Sequence, residues 1–375
     1  MKIIHIVENL NRGAVENWLV RMLRFGVQQG TPLDWTFYCA LGQRGELDDE
    51  ARKLGARIVY SPVPLTRKWA FMRALRLELD AGRYEVMHCH HDLVSAVYLL
   101  ASAGLPIRKR IVHVHNADEA LPAPNVLKAA LLRPALRAVC LTMADSIVGI
   151  SNHTLDSFLA GRGRRPGRDI VHYYGVDPAP FENAGFDRVA FRRALGVADD
   201  CRIVLFAGRI VPEKNPLFAV EVFAELFRLE PNVACIFIGA GSLEAAVRKR
   251  VSELGIETAF RHLGWRQDVA AIMCCCDWFI LPRPEYPMEG FGLAVVEAQL
   301  AGLGMLLSSA VSDDPLLPTA VFRRLRLSDP PGTWAAAAID MVNGPAPSRS
   351  AALAALAASP MNMNRAFTRL LELYE

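Results

Sequence analysis

An α/β chain built of two doubly wound, parallel-sheet halves is the fold class that the sequence predicts, and three observations predict it. Short, continuous apolar runs alternate with stretches of helical periodicity, as in a parallel sheet covered on both faces. The alternation breaks off in a stretch rich in Pro, Gly and polar residues near 175–198 and starts again at Ile203. A length of 375 residues, 52% apolar and 22% charged, holds enough material for two globular cores.

In chain order, Ile3–Val7 reads as a strand, and Val15, Trp18, Leu19, Met22 and Leu23 give the apolar face of a helix ending near Gly30. Further strands are expected at Trp35–Ala40, Arg57–Tyr60, Val86–His90, Ile111–His115, Ile147–Ile150 and Ile170–Tyr173. Strands separated by helices imply repeated right-handed crossovers. Ala160-Gly-Arg-Gly-Arg-Arg-Pro-Gly167 is a basic loop. After the break, strands are expected at Ile203–Ala207, Cys235–Ile238, Trp278–Leu281 and Met305–Leu307. The alanine-rich segment from Ser348 to Glu375 reads as helix apart from Pro360. The expected division is therefore 1–174, a linker at 175–198, a second domain at 199–347 and a terminal helical segment at 348–375.

The net charge of +3 is small and dispersed, which argues against nucleic acid as the main partner. The eight cysteines include no C-x-x-C pair, and a buried, reduced set is expected rather than a zinc site or disulfide framework. Met1-Lys-Ile-Ile-His-Ile-Val7 reads as a strand start and not as a charged-then-apolar leader, and no segment reaches the ~18 apolar residues of a membrane span. A soluble protein of the cytoplasm is expected. Arg67, Lys68, Arg73 and Arg76 alternate with Trp69, Phe71, Met72 and Leu75, and Lys128, Arg133 and Arg137 interrupt a second apolar stretch. Such helices either pack on a sheet or lie on an anionic membrane surface.

The chemistry concentrates in Glu289-Gly-Phe-Gly-Leu-Ala-Val-Val-Glu297, which follows the apolar run Trp278-Phe-Ile-Leu-Pro282. A strand turning through glycines into a helix lies at the carboxyl edge of an α/β sheet, where ligands bind. Gly290 and Gly292 let backbone N–H groups approach a ligand, and a carboxylate accepts hydroxyl pairs well. A phosphorylated, hydroxyl-rich ligand is the chemistry suggested. Gly208-Arg209-Ile-Val-Pro-Glu-Lys214-Asn215 opens the second half directly after its first strand. An arbitrary Arg/Lys pair is usually a solvated surface feature, but at a strand end ahead of a helix it suits a diphosphate. Asn11-Arg12-Gly13-Ala-Val-Glu16 lies between the first strand and first helix, where a glycine frees backbone N–H groups for a phosphate. His88, His90, His91, His113 and His115 cluster at two neighbouring strand ends. Zinc is one reading of them and a polar floor is the other, favoured because only Asp92 and Cys89 offer further ligands. Gly239-Ala-Gly241 lacks the third glycine of a dinucleotide fingerprint and reads as a strand-to-helix turn.

The segment EGFGLAVVEAQLAG, with seven residues between its two glutamates, and the G-R-x4-K-N element at 208–215 resemble the retaining glycosyltransferases of family 4. The resemblance implies the GT-B fold: two Rossmann-like domains facing a cleft, with the terminal helix crossing back to the first. It implies that Glu289 contacts the transferred sugar and Glu297 the nucleotide ribose. By the same resemblance Arg209 and Lys214 neutralise the leaving diphosphate in place of a metal, and His115 touches the donor sugar. Leu263-Gly264-Trp265-Arg266-Gln-Asp-Val269 resembles the loop that lines the nucleobase pocket. Gly13, Gly208, Gly290, Phe291, Gly292 and Leu293 complete the implied donor site, with Arg12, His90 and Asn116 on the acceptor side. The family's glycine pair is here Arg12-Gly13, a departure that leaves the contacts of this loop open. The implied co-substrate is a nucleotide-sugar, with a UDP- or GDP-sugar foremost, and neither metal nor cofactor is expected. The implied acceptor is a saccharide or lipid-linked saccharide of surface polysaccharide synthesis, with peripheral contact to the inner membrane surface. A sugar-nucleotide epimerase of the same fold and a non-catalytic nucleotide-sugar binding subunit are the alternatives.

Overall fold

The computed structural model describes residues 1–116, 126–182, 187–342 and 344–375, with the side chains of 126–131 and 342 outside the description. Part of the expected linker and the side chain of Lys128 thus lie outside the described residues. The chain divides into two compact units, Met1–Gly175 with Asn364–Glu375, and Val176–Met363.

The first unit holds a seven-stranded parallel sheet formed by β1 (Lys2–Val7), β2 (Asp34–Cys39), β3 (Arg57–Tyr60), β4 (Val86–Cys89), β5 (Lys109–Val114), β6 (Ser146–Gly149) and β7 (Asp169–Val171). Their order is β3-β2-β1-β4-β5-β6-β7, and every pairing is parallel. Alternation along each strand sends successive side chains to opposite faces. One face is hydrocarbon: Ile4, Ile6, Met87, Cys89, Val112 and Val114 join Phe71, Leu75 and Leu79 of the helix Lys68–Gly82 in one buried cluster. The other face is aromatic and imidazole. His5, Trp35, Phe37, His88 and His113 lie there beneath Trp18 of the helix Ala14–Gln28 and Tyr374 of the helix Met363–Tyr374.

The second unit holds a six-stranded parallel sheet of β8 (Arg202–Ala207), β9 (Val233–Ile238), β10 (Phe260–His262), β11 (Trp278–Leu281), β12 (Gly304–Ser308) and β13 (Phe322–Leu325), ordered β10-β9-β8-β11-β12-β13. Val204, Phe206, Cys235, Phe237, Ile280 and Leu306 pack with Val220, Phe223 and Leu226 of the helix Pro216–Leu229 and Trp334 of the helix Pro331–Val342.

Two strands were not expected. Both β10 and β13 are edge strands of the second sheet, and neither carries a continuous apolar run, because an edge needs burial only in part. The stretch expected as a linker holds a helix, Arg188–Leu195. The Asp187 side chain caps it by accepting from Ala190 N–H, and Gly196 ends it at φ 70°. The helix is docked by Arg192, 2% exposed, whose Nη2 donates to Asp277 Oδ2 at 3.0 Å, while Asp277 also accepts from Ile203 N–H at 2.8 Å. The terminal segment is also divided. Arg349–Ala358 packs against Leu293–Leu300 in the second unit, and only Asn364–Glu375 belongs to the first.

Candidate active site

In the second sheet the chain steps outward from β8 to β10 and then resumes on the other side of β8 with β11. The carboxyl ends of β8 and β11 therefore flank a topological switch point, where connections diverge and leave a crevice. Gly208 follows β8 at φ 156°, and the backbone runs through Arg209 to a single 3-10 turn, Pro212–Lys214. Asn215, left-handed at φ 50°, ends that turn, and Pro216 starts the next helix with its φ already set.

The segment after β11 meets this loop. Lys214 Nζ donates to Glu289 Oε2 at 2.5 Å, and the two side chains are 19% and 12% exposed. Arg283 Nε lies 3.6 Å from the same oxygen. Burial alone would raise the Glu289 carboxyl, but Lys214, Arg283 and Arg209 outweigh it and hold the group below the ordinary glutamate range. The Glu289 N–H donates to the Ala310 carbonyl at 3.2 Å, which ties the turn to the segment beyond β12. Gly292, at φ 85°, is the N-cap of the helix Leu293–Leu300, which carries Glu297 in its second turn. Phe291 is buried beneath the turn, and Gly290 and Leu293 are half-buried. On the same helix Gln299 accepts from Leu317 N–H and donates to the Val295 and Pro315 carbonyls, fixing the helix against the loop after β12.

Arg283 escaped the sequence reading. It is 7% exposed and braces two loops at once, donating to the carbonyls of Glu213 (2.5 Å), Pro287 (3.1 Å) and Met288 (3.3 Å). Its own carbonyl accepts from Ser308 Oγ at 2.7 Å. An isolated arginine after a strand carries no motif, so only the fold brings it to Glu289.

The remaining candidates of this unit rim the same sheet edge. Gly264, at φ 66°, accepts from Gly239 N–H at 2.8 Å, Trp265 is 51% exposed, and Arg266 pairs with Asp268 at 2.6 Å. Gly239 and Gly241 serve close packing. A Cβ at Gly239 would lie 1.9 Å from the Gly208 carbonyl oxygen, and one at Gly241 would lie 2.3 Å from that of Ile210.

The first unit holds the other candidates. Gly13 is the N-cap of the helix Ala14–Gln28, in extended conformation at φ −85°. A Cβ there would meet Glu16 Oε2 at 2.2 Å, so the Glu16 carboxylate lies over the N-terminal turn where a phosphate was expected. Its burial, opposed in part by its backbone hydrogen bond, raises that carboxyl to about 7. Arg12 is exposed, and its backbone N–H donates to Glu46.

The histidines form hydrogen-bonded chains rather than a set of separate strand-end groups. His5 Nδ1 meets His90 Nε2 at 3.0 Å, His90 Nδ1 meets His115 Nε2 at 3.0 Å, and His115 Nδ1 meets the Tyr174 hydroxyl at 2.8 Å. In a second chain the Tyr374 hydroxyl meets His88 Nδ1 and His88 Nε2 meets His113 Nδ1, both at 3.1 Å. Desolvation holds all of these rings neutral, bringing His5 and His115 down to about 3. Two buried groups, His5–His88–His90 and His90–His113–His115, have nitrogens within 4.8 Å of one another and so have the spacing for a metal ion. Asp92, at φ 40° and 3% exposed, was noticed in the sequence only as a possible ligand. It accepts from His115 N–H at 2.7 Å and from Asn116 Nδ2 at 2.8 Å, and so fixes the end of β5.

Comparison with known proteins agrees with this architecture. The Glycosyltransferase Family 4 pattern matches residues 15–180, and the pattern of Glycosyl transferases group 1 matches residues 187–312. EpsF of Bacillus subtilis is 24% identical over 344 residues, which are 89% of this chain and 86% of EpsF. An Escherichia coli enzyme named UDP-Gal:alpha-D-GlcNAc-diphosphoundecaprenol alpha-1,3-galactosyltransferase is 25% identical over 274 residues, 70% of this chain and 67% of that protein. Among solved structures, HepE of Anabaena in complex with UDP superposes with a TM-score of 0.80 at 17% identity, covering 99% of each chain. Two family patterns in tandem, on two parallel α/β sheets of this topology, make the chain a GT-B glycosyltransferase of the group 1 and family 4 domains.

Proposed function

We propose that the protein transfers a sugar from a nucleotide-diphosphate sugar to a hydroxyl acceptor, with retention of anomeric configuration and without a metal. The observation that carries this reading is the Lys214–Glu289 pair at the β8–β11 switch point, with Arg209 and Arg283 close enough to hold the glutamate ionised. Three cations to one carboxylate leave positive charge to spare for a diphosphate. In this reading Arg209 and Lys214 stabilise the departing diphosphate, and Glu289 accepts hydroxyls of the sugar. Glu297 holds the ribose, and Gly264, Trp265 and Arg266 border the base. His115, kept neutral, serves as a hydrogen-bonding partner rather than as an acid.

The donor is proposed as a UDP- or GDP-sugar, and the UDP held by HepE supports the first. The acceptor is proposed as a saccharide or lipid-linked saccharide of surface polysaccharide synthesis, since the galactosyltransferase relative is named for a diphosphoundecaprenol substrate. Arg12, His90 and Asn116 are its proposed contacts. Among the described residues no helix is long and apolar enough to cross a membrane. Trp69, 84% exposed beside Arg67, Lys68 and Arg73, supports peripheral contact with the inner membrane surface instead. A cytoplasmic location follows from that reading.

The test is thermal stabilisation by UDP, GDP, ADP and their sugar conjugates, with and without EDTA. A chelator-resistant shift with one nucleotide class is expected, and no shift with any of them overturns the donor reading. Glu289→Ala is expected to keep most of the nucleotide shift while lowering transfer by ~10²–10³. Full activity in that variant would refute the assignment of the sugar contact.

A further inference from the structure

Glu289 shares its nearest counter-charge, Lys214, with the proposed diphosphate site. Lys214 is hydrogen-bonded to the carboxylate at 2.5 Å, so a diphosphate that engages Lys214 competes with Glu289 for the same ammonium. A carboxylate only 12% exposed cannot keep its charge unaided once that partner turns elsewhere, because desolvation favours the protonated form. An arriving anion nearby pushes in the same direction. A protonated glutamate is a poorer acceptor for sugar hydroxyls, so the site needs a cation that does not leave.

Arg283 has the properties of that cation. Its guanidinium is locked by the carbonyls of Glu213, Pro287 and Met288, so it cannot swing out to follow a ligand as a lysine can. It is 3.6 Å from Glu289 Oε2, close enough for strong attraction at low exposure and too far to take the place of a direct hydrogen bond. We propose that Arg283 is a positioning residue, the standing counter-charge that keeps Glu289 ionised and aimed while Lys214 is handed to the donor's diphosphate.

Three cations surround Glu289: Lys214 and Arg209 from the loop after β8, and Arg283 from its own segment. The other titratable groups on these segments are Glu213, Glu285, Tyr286, Glu297 of the helix Leu293–Leu300, and Asp313 and Asp314 beyond β12. Of the cations on neighbouring elements, Arg324 is engaged by Asp313 and the Val311 carbonyl, and Arg349 lies beside Gly302 beyond the far end of that helix, so neither stands in for Arg283. The proposal rests on the reading that a nucleotide diphosphate docks at Arg209 and Lys214.

Proton uptake on nucleotide binding tests it without knowledge of the acceptor. UDP and GDP are titrated calorimetrically near pH 6 in buffers of different ionisation enthalpy, and whichever binds the wild type is carried through the variants. Arg283→Met is expected to take up on the order of half a proton more per bound nucleotide than the wild type. Arg283→Lys, whose ammonium can turn toward the diphosphate, is expected to remove only part of the excess, and adding Glu289→Gln to Arg283→Met is expected to abolish it. If Arg283→Met does not fold, Arg283→Gln replaces it, since the amide can still donate to a loop carbonyl while removing the charge. Equal proton uptake in the uncharged variant and the wild type overturns the proposal. Nucleotide affinity unchanged in Lys214→Ala overturns the docking reading instead, and failure of both nucleotides to bind the wild type overturns the two together.

Discussion

At the scale of single residues, Glu16 and Glu289 show burial and neighbouring charge acting in opposite directions. Glu289 is surrounded by cations and stays ionised. Glu16 has desolvation and Glu8 against it, and its carboxyl rises to about 7 from a usual 4.5. The folded state therefore holds the Glu16 proton where the unfolded chain has lost it, and the cost to stability grows as pH rises from 4.5 to 7. Glu16→Gln is expected to raise the melting temperature at pH 8, with the gain vanishing at pH 4. A gain independent of pH would show that the carboxylate is not the cause. At this scale the sequence marked Lys214 and Glu289 by residue type and spacing, and the fold brings those two side chains together. The sequence carried no signal for Arg283 and marked Asp92 only as a possible ligand, because the Glu213, Pro287 and Met288 carbonyls and the His115 N–H and Asn116 amide come to them only in the folded chain.

At the scale of elements, the imidazole face of the first sheet is the least ordinary feature. His5, His88, His90, His113, His115 and His172 are all buried and neutral, and burial is the leading cause for each. Unfolded histidines take up protons below about 6.5, whereas these do so only far lower, so stability falls as the pH drops from about 6.5. Each contributes a slope of about 1.4 kcal/mol per pH unit over that window. His5 stacks on Trp35 at 4.1 Å between ring centroids, and its Nε2 has no hydrogen-bond partner among the described residues, so His5→Phe removes the titrating ring at the cost of the His90 Nε2 contact alone. Urea titrations at pH 7.5 and 5.5 are expected to show a shallower pH dependence in that variant, by about one histidine's share. An unchanged slope would mean that His5 is not held neutral. The sequence marked His88, His90, His91, His113 and His115 as strand-end groups, but not His5 or His172. Period-two alternation on β4 and β5 puts 88 with 90 and 113 with 115, but their linkage to His5 and Tyr174 depends on strand order, which periodicity does not encode. The same gap hid β10 and β13, because a half-covered edge strand has no distinctive hydrophobic pattern.

At the scale of the whole molecule, the first unit is built from two separated stretches of chain. The helix ending at Tyr374 brings Ala366, Phe367 and Tyr374 onto the first unit, where they meet His172, Phe25 and His88 respectively. Arg108 also donates to the Tyr374 and Glu375 carbonyls. Removing Asn364–Glu375 is expected to leave buried imidazoles and aromatic rings exposed, with rapid proteolysis within the first 175 residues and aggregation on purification. A truncated chain as protease-resistant as the full one would show that this helix is an accessory. A composition break near 175 was visible in the sequence. The helix Arg188–Leu195 beyond it was not, because polar, Gly-rich sequence suits a short capped helix as well as a linker. During synthesis the consequence is a delay. At ~5–20 residues per second, the ribosome needs on the order of ten seconds or more to pass from Gly175 through the second unit to Asn364. Throughout that time the nascent first half carries an unfinished histidine face, so its final closure is a late, post-emergence event, open to holdase capture and sensitive to translation rate.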